Sequence, residues 1–277
     1  MPVIALTQEM GSLAKDVAQQ LSDELHLSTL RHEVAEHVAQ KMHVPRSLIN
    51  RLREGSAGTI ERLRADRASL AVYSAEEVLE TAARGDVVLR GWGATCLLHE
   101  VPHVVCVRVT RPMKQRVEWL MKNLDTDDAA SAESEIRRSD QAHAARMHEQ
   151  FGVTWGDPLL YDLVLNTERL SVDSCVQQIK ALVARPEFAE TPASVALLQN
   201  MAVQARVRAA LRADETTRGV DITVESDAGK LVLRGIVADA REKEASGAVA
   251  AAVPGVASVD NQLRTMAGSR LFASAKY

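Results

Sequence analysis

The sequence predicts an α/β protein, a parallel sheet covered by helices on both faces, followed by a small α+β domain. Three observations carry this reading. Short apolar runs alternate with stretches of helical spacing as far as about residue 183. A segment bracketed by Pro186 and Pro192, ARPEFAETPAS, then interrupts the pattern. Beyond it a helix, two strands about a DAGK turn, an alanine-rich helix and a last strand fill roughly 70 residues, near the lower size at which one core suffices.

Taken in order, PVIALT (2 to 7) is a run of apolar strand formers. Leu13 to Leu27 has apolar residues at 13, 14, 17, 18, 21 and 25, the spacing of one helix face. Between 31 and 84 the segments HEVAEHVAQKM, PRSLINRLR, IERLRADRASL and SAEEVLETAAR read as successive helices, the last opened by a capping box of Ser74 and Glu77. GDVVLRGWG and HVVCVRVT read as buried strands. Residues 112 to 150 are helical and highly charged, YDLVLN (161 to 166) is a further strand, and SVDSCVQQIKALVA is a closing helix. The expected division is 1–185, a linker at 186–196, a second domain at 197–267 and a tail at 268–277.

Composition narrows the function. The chain has 277 residues, 46% of them hydrophobic and 25% charged, with a net charge of −4. That is too apolar for a disordered chain and too acidic for a protein that coats nucleic acid. No apolar run is long enough for a membrane span. The start, MPVIALTQEMGSLAKD, lacks the basic region of a secretory signal, so none is expected. Cys96, Cys106 and Cys175 are few, scattered and odd in number, which fits reduced thiols in a cytoplasmic protein.

The local chemistry is more specific. A glycine-containing turn between a strand and a helix points free backbone amides and the positive end of the helix dipole at one spot, an anion site. Here the turn is Glu9-Met10-Gly11-Ser12-Leu13-Ala14-Lys15-Asp16, which does not match the full GxxxxGK[ST] pattern. From Arg90 to Arg116 stand five basic residues (Arg90, Arg108, Arg111, Lys114, Arg116) against a single acid, Glu100. Arg90, Arg108 and Arg111 fall at the carboxyl ends of two expected strands, where open parallel sheets bind ligands. Guanidinium groups grip phosphates there in bidentate fashion. Arg137 and Arg138 lie in a charged helix hairpin with the look of a lid, or of a solvated turn pairing them with Glu133 and Glu135. His143 and His148 are off a common helical face, so no metal pair is expected.

These segments together resemble the cytidylate kinase-like family, a branch of the P-loop nucleoside monophosphate kinases. The stretches that carry the resemblance are VIALTQEMGSLAKDVAQQLSDEL, DVVLRGWGATCLL, VVCVRVTRPMKQRV, EIRRSDQAHAARMHEQFGVTWGDP and YDLVLNTERLSVDSCVQQI, over roughly 1 to 183. The second domain resembles a BON domain through LVLRGIV and VPGVASVDNQL, with Gly235, Gly255, Val259 and Asn261 in the pattern's places.

The first resemblance implies a P-loop kinase-like sheet and transfer of the γ-phosphoryl group of ATP, with Mg²⁺, to a nucleoside monophosphate such as CMP. Gly11, Ser12 and Lys15 would then cradle the donor phosphates, and Arg90 would hold the acceptor phosphate. Arg116, Arg137, Arg138 and Asp140 would close over the transferring group. The family loop reads like EfGSGGREIA, so Leu13 and Ala14 replace two glycines and the usual P-loop lysine falls at Ala14. The alternative is therefore an impaired kinase that senses a nucleotide or phosphorylated ligand. The expected partners are a nucleotide and, for the BON domain, a protein or small ligand.

Overall fold

Val3–Gln8 form the first strand, β1, and its residues alternate between two apolar surfaces. The computed structural model describes residues 1–30 and 32–266. After β1 come α1 (Ala14–Leu25), β2 (Ser28–Leu30), α2 (His32–Met42), α3 (Arg46–Glu54), α4 (Thr59–Arg64) and α5 (Arg67–Arg84). There follow β3 (Val87–Arg90), α6 (Ala94–Leu97), β4 (Val104–Thr110), α7 (Met113–Leu124), α8 (Ala129–Phe151), β5 (Leu163–Asn166) and α9 (Val172–Val183). The five strands pair in the order β2-β3-β1-β4-β5, all parallel.

Because strand side chains alternate, Val3 and Ala5 share one face with Val87, Leu89, Val104 and Cys106, under α2 and α5. Ile4 and Leu6 share the other with Val88, Val105 and Val107, under α1 and α9 through Val17, Leu21, Val176 and Ile179. This is the expected parallel sheet with both faces covered.

One local expectation is corrected. α5 runs unbroken through Ser74, so no capping box opens a helix there. Asp66 caps it instead, its Oδ1 accepting from the Ser69 amide at 3.0 Å and its Oδ2 from the Ser69 hydroxyl at 2.6 Å. Nothing between Arg67 and Ser74 breaks a helix, and Ser74 and Glu76 are buried within it.

Of the segment 186–196, Pro186–Phe188 make a 3₁₀ turn, and α10 (Pro192–Ala213) has already begun at Pro192. Pro192 is helical from the first position, which its fixed φ suits, and Thr191 caps the helix by accepting from the Ser194 amide at 3.1 Å. The second domain continues as β6 (Ile222–Asp227), β7 (Lys230–Val237), α11 (Ala240–Ala251), β8 (Ser258–Asn261) and β9 (Arg264–Thr265). β6 and β7 form a hairpin whose turn residues Ala228 and Gly229 both have positive φ, while β8 and β9 run parallel to β7. The tail expected at 268–277 lies outside the described residues.

α10 belongs to both cores. Leu198, Ala202, Ala205 and Ala209 pack with α5 over the large sheet, whereas Val207 and Leu211 pack with Val224, Leu231, Leu233 and Leu263 of the small one. Two arginines clasp this seam. Arg206 Nε donates to Glu80 of α5 at 2.6 Å, and its Nη1 donates to the Pro254 carbonyl. Arg212 donates to both Asp66 oxygens at 2.9 Å and to the Arg218 carbonyl at 2.7 Å.

Candidate active site

The carboxyl ends of β1, β3 and β4 are neighbours in the sheet, so the chain leaving each one enters the same region. The register sets Leu6 beside Arg90 and Thr7 beside Arg108. Glu9, the first residue after β1, is the hub. Its carboxylate accepts from Arg108 Nη2 at 2.6 Å, from the Thr110 hydroxyl at 2.6 Å and from the Arg111 amide at 3.2 Å. Arg116 Nη1 lies 3.5 Å from the same carboxylate.

Both arginines make further contacts. Arg108 also donates to the Trp155 carbonyl at 2.9 Å and lies 4.3 Å from the centre of the Trp155 ring. Arg116, 4% exposed, donates from Nε to the Met10 carbonyl and from Nη2 to Asp140, each at 2.7 Å. It thereby ties the loop after β1 to α8. Arg111 is half-buried, and its Nε has no hydrogen-bond partner among the described residues.

The loop into α1 is tightly held. Gly11 has φ +78°, and a Cβ there would meet the Arg116 backbone and the Trp119 ring at 3.2 Å. Leu13 sits in the left-handed region at φ 63°, and Ala14 is the first, buried residue of the helix. Ser12 is 1% exposed and its hydroxyl has no hydrogen-bond partner among the described residues, while its carbonyl accepts from Thr167 Oγ1 at 2.9 Å. Lys15 projects from the first turn of α1 and is exposed. An orphaned buried hydroxyl beside the open amides of a helix N-terminus fits a phosphate group. No cluster of three or more His, Cys, Asp or Glu among the described residues forms a metal site.

Arg90, buried at the end of β3, leads into Gly91-Trp92-Gly93, at φ 80°, 57° and 73°. Three left-handed residues in a row swing the chain sharply, and the non-glycine Trp92 is held there against its preference. The Arg53 guanidinium of α3 stacks over Trp92 at 4.6 Å. α8 crosses the same region with Asp140, His143, Met147 and Phe151 on one side. Phe151 and Met147 line Gly93, and His143 lies 4.2 Å from the Trp155 ring centre. Burial, with Arg146, Arg53 and Arg108 nearby, pushes the His143 imidazole down to about 3, so it is neutral at pH 7. Arg137 and Arg138 are exposed and pair with Glu133 at 2.5 Å and Glu135 at 2.6 Å on their own helix.

The structure thus gathers Gly11, Ser12, Arg90, Arg108, Arg111, Arg116 and Asp140 around the sheet edge, and leaves Lys15, Arg137 and Arg138 at the surface. Sequence reasoning passed over Arg53 and Arg146, took Glu9 only as part of the loop, considered His143 only as a metal ligand, and weighed Trp155 as a base-pocket wall against core packing. A signal existed for His143, which follows Asp140 by three residues and precedes Met147 by four, on one helix stripe.

A profile of the cytidylate kinase-like family matches residues 3–169, more than half of the chain. The chain belongs to the cytidylate kinase-like family. Among relatives, a cytidylate kinase of Methanopyrus kandleri is 26% identical over 167 residues, 56% of this chain and 86% of that protein. A cytidylate kinase of Staphylothermus marinus is 23% identical over 161 residues, 57% of this chain and 90% of that protein. An uncharacterized protein from Eubacterium ventriosum superposes with a TM-score of 0.53 at 16% identity, over 67% of this chain and 100% of that one, a likeness of fold. The BON domain profile matches residues 201–267. In this cytidylate kinase-like chain, α9 and the first turns of α10 lie between the two matches, yet they cover opposite faces of the large sheet.

Proposed function

We propose that this kinase-like protein transfers the γ-phosphoryl group of ATP to a nucleoside monophosphate, CMP among the acceptors, in the cytoplasm, and that its BON domain regulates the reaction. One observation carries the reading. The Glu9-ordered arginines converge on the sheet edge beside a buried, unpartnered Ser12 hydroxyl and the open amides of α1. The loop at Gly11 and Ser12, with Lys15 reaching round from α1, faces the donor phosphates. Arg90, Arg108 and Arg111 form the acceptor side, and the free Nε of Arg111 is a donor available to an acceptor oxygen. Arg116 and Asp140 keep the loop and α8 together, and Arg137 and Arg138 would come to the transferring group only if α8 moves. ATP with Mg²⁺ supplies the phosphoryl group and neutralises its charge. An acceptor phosphate oxygen is already ionised at neutral pH, so the residues' work is positioning and charge stabilisation.

ADP release measured over a panel of nucleoside monophosphates tests this. Turnover with CMP above the ATP-only background is expected, and no turnover with any acceptor at millimolar ATP and Mg²⁺ overturns it. A second reading, a nucleotide or phospho-ligand sensor, is favoured by Leu13 and Ala14 in the loop and by the outward Lys15. A ligand that binds only the folded state raises its melting temperature, so a CMP- or ATP-dependent thermal shift without ADP release selects the sensor.

A further inference from the structure

Half-buried Arg146 stands apart from the buried arginines of the sheet edge. Arg108 and Arg116 have carboxylate partners, whereas Arg146 forms no ion pair with a described residue. Its Nη1 donates to the Arg53 carbonyl at 2.5 Å, and its Nη2 lies 3.5 Å from His143 Nδ1. Both partners are neutral. Taking a guanidinium out of water without a counter-charge is costly, and burial draws Arg146 down to about 10.

The surroundings deepen the imbalance. Arg53, Arg108 and Arg146 all act on the one imidazole of His143. Two carboxylates of the adjoining network, Glu9 and Asp140, are already paired, Glu9 with Arg108 and Arg116 and Asp140 with Arg116. His143, accepting on Nδ1, keeps its proton on Nε2, a second donor that carries no charge. Trp92 under Arg53 and Trp155 beside His143 add two aromatic surfaces. Three elements meet here. A Cβ on Gly91 would lie 3.3 Å from Arg53 of α3, and one on Gly93 would lie 2.6 Å from Phe151 of α8.

We propose that Arg146 binds the phosphate monoester of the acceptor, in the cationic and aromatic cluster formed by α3, α8 and the 91–93 loop. The assignment rests on the monophosphate-kinase reading and names the residue that takes the acceptor's charge. A dianion supplies the counter-charge that Arg146 lacks, and the fork of the guanidinium keeps the Arg53 carbonyl while reaching a phosphate oxygen. Arg146 is thus an attachment point that also ties α3 to α8, so acceptor binding and the seating of α3 depend on one side chain.

The test compares wild type with Arg146→Gln and Arg146→Lys, titrated with inorganic phosphate, CMP and cytidine by calorimetry and thermal shift. CMP and phosphate are expected to bind wild type and cytidine far more weakly, with at least a tenfold loss for CMP and phosphate in Arg146→Gln. Arg146→Lys, which keeps the charge and loses the fork, is expected to lose several-fold. Phosphate binding that matches CMP marks a general anion site, and tighter CMP binding marks the aromatic walls as part of it; either supports the assignment. Wild-type affinity for CMP and phosphate in a folded Arg146→Gln overturns it, as does the absence of binding to wild type at millimolar ligand. If Arg146→Gln does not fold, wild-type affinity in Arg146→Lys overturns it. ADP release separates the two claims. Arg146-dependent CMP binding without turnover keeps the assignment and removes the kinase reading. Turnover by Arg146→Gln with an unchanged KM for CMP does the reverse, whereas a raised KM with kcat less affected supports both.

Discussion

The Glu9 carboxylate lies 2.6 Å from Nη2 of Arg108, in a place where both side chains are about nine-tenths shielded from water. An ion pair so shielded is costly to break from one side, because the remaining charge keeps its desolvation penalty and loses its partner. Glu9→Ala is expected to cost about 3–5 kcal/mol, read from the shift of the urea unfolding midpoint. Arg108→Met should cost a similar amount, and the double variant less than the sum of the two. A Glu9→Ala cost within experimental error of zero would show that water reaches the pair freely.

Leu13 provides a backbone test. Its φ of 63° opens α1 from the left-handed region, which costs a non-glycine residue about 1–2 kcal/mol. Leu13→Gly releases that strain and loses half-buried side-chain contacts, so its stability should stay within about 1 kcal/mol of wild type. Leu13→Val, β-branched and more strongly excluded from this region, should be less stable than Leu13→Gly by at least about 1 kcal/mol. Thermal unfolding of the pair measures the difference.

Two histidines make opposite contributions to the pH dependence. His37 Nε2 lies 2.9 Å from Glu76 and its Nδ1 3.2 Å from Glu77. The hydrogen bond to Glu76 raises its pKa above the ordinary imidazole value. Its contribution is therefore complete below about pH 6.5 and is lost as the pH rises through the folded value. His143 is held neutral, down to about 3, chiefly by burial. Its folded form costs nothing extra above about pH 6.5 and loses stability as the pH falls from there, by at most about 1.4 kcal/mol per unit. Denaturant unfolding between pH 4.5 and 8.5 should flatten on the alkaline side in His37→Gln and on the acid side in His143→Gln. A His143→Gln profile that keeps the wild-type acid slope refutes the neutral assignment.

Leu198 tests the seam between the domains. It lies beyond the kinase-like match yet is 3% exposed within the core of the large sheet. Leu198→Ala is expected to cost about 2–4 kcal/mol and to lower one shared unfolding transition, followed by calorimetry. Two separated transitions, with only the later one moved, would show that the domains unfold independently.

The sheet was legible because its buried strands are short apolar runs that helical spacing cannot mimic, as in VVCVRVT. The arginines at strand ends were legible because strand direction alone puts Arg90 and Arg108 on one edge. The interior of the site was not. Glu9 read only as the first residue of an imperfect phosphate loop, although its role comes from the side chains of Arg108, Thr110 and Arg116, about 100 residues away in sequence. Arg146 looked like one more charge on a charged helix, and only the fold reveals that its neighbours are a carbonyl and an imidazole. Ser74 and Glu77 matched a local cap signal, but the helix that holds them had already been opened by Asp66 and Ser69 at its start.

α10 also sets an angle. A helix advances about 100° and 1.5 Å with each residue, and Ala202 and Ala205 face one sheet while Val207 and Leu211 face the other. The orientation of the BON domain about this axis is thus fixed by helical phase. A single residue inserted just after Arg206 would turn the rest of α10 by about 100°, parting Arg212 from Asp66 while Arg206 keeps Glu80. A whole-turn insertion would come closer to restoring the azimuth while separating the domains by one pitch. In this protein the two domains keep their mutual orientation only when their spacing along α10 changes by about a whole helical turn.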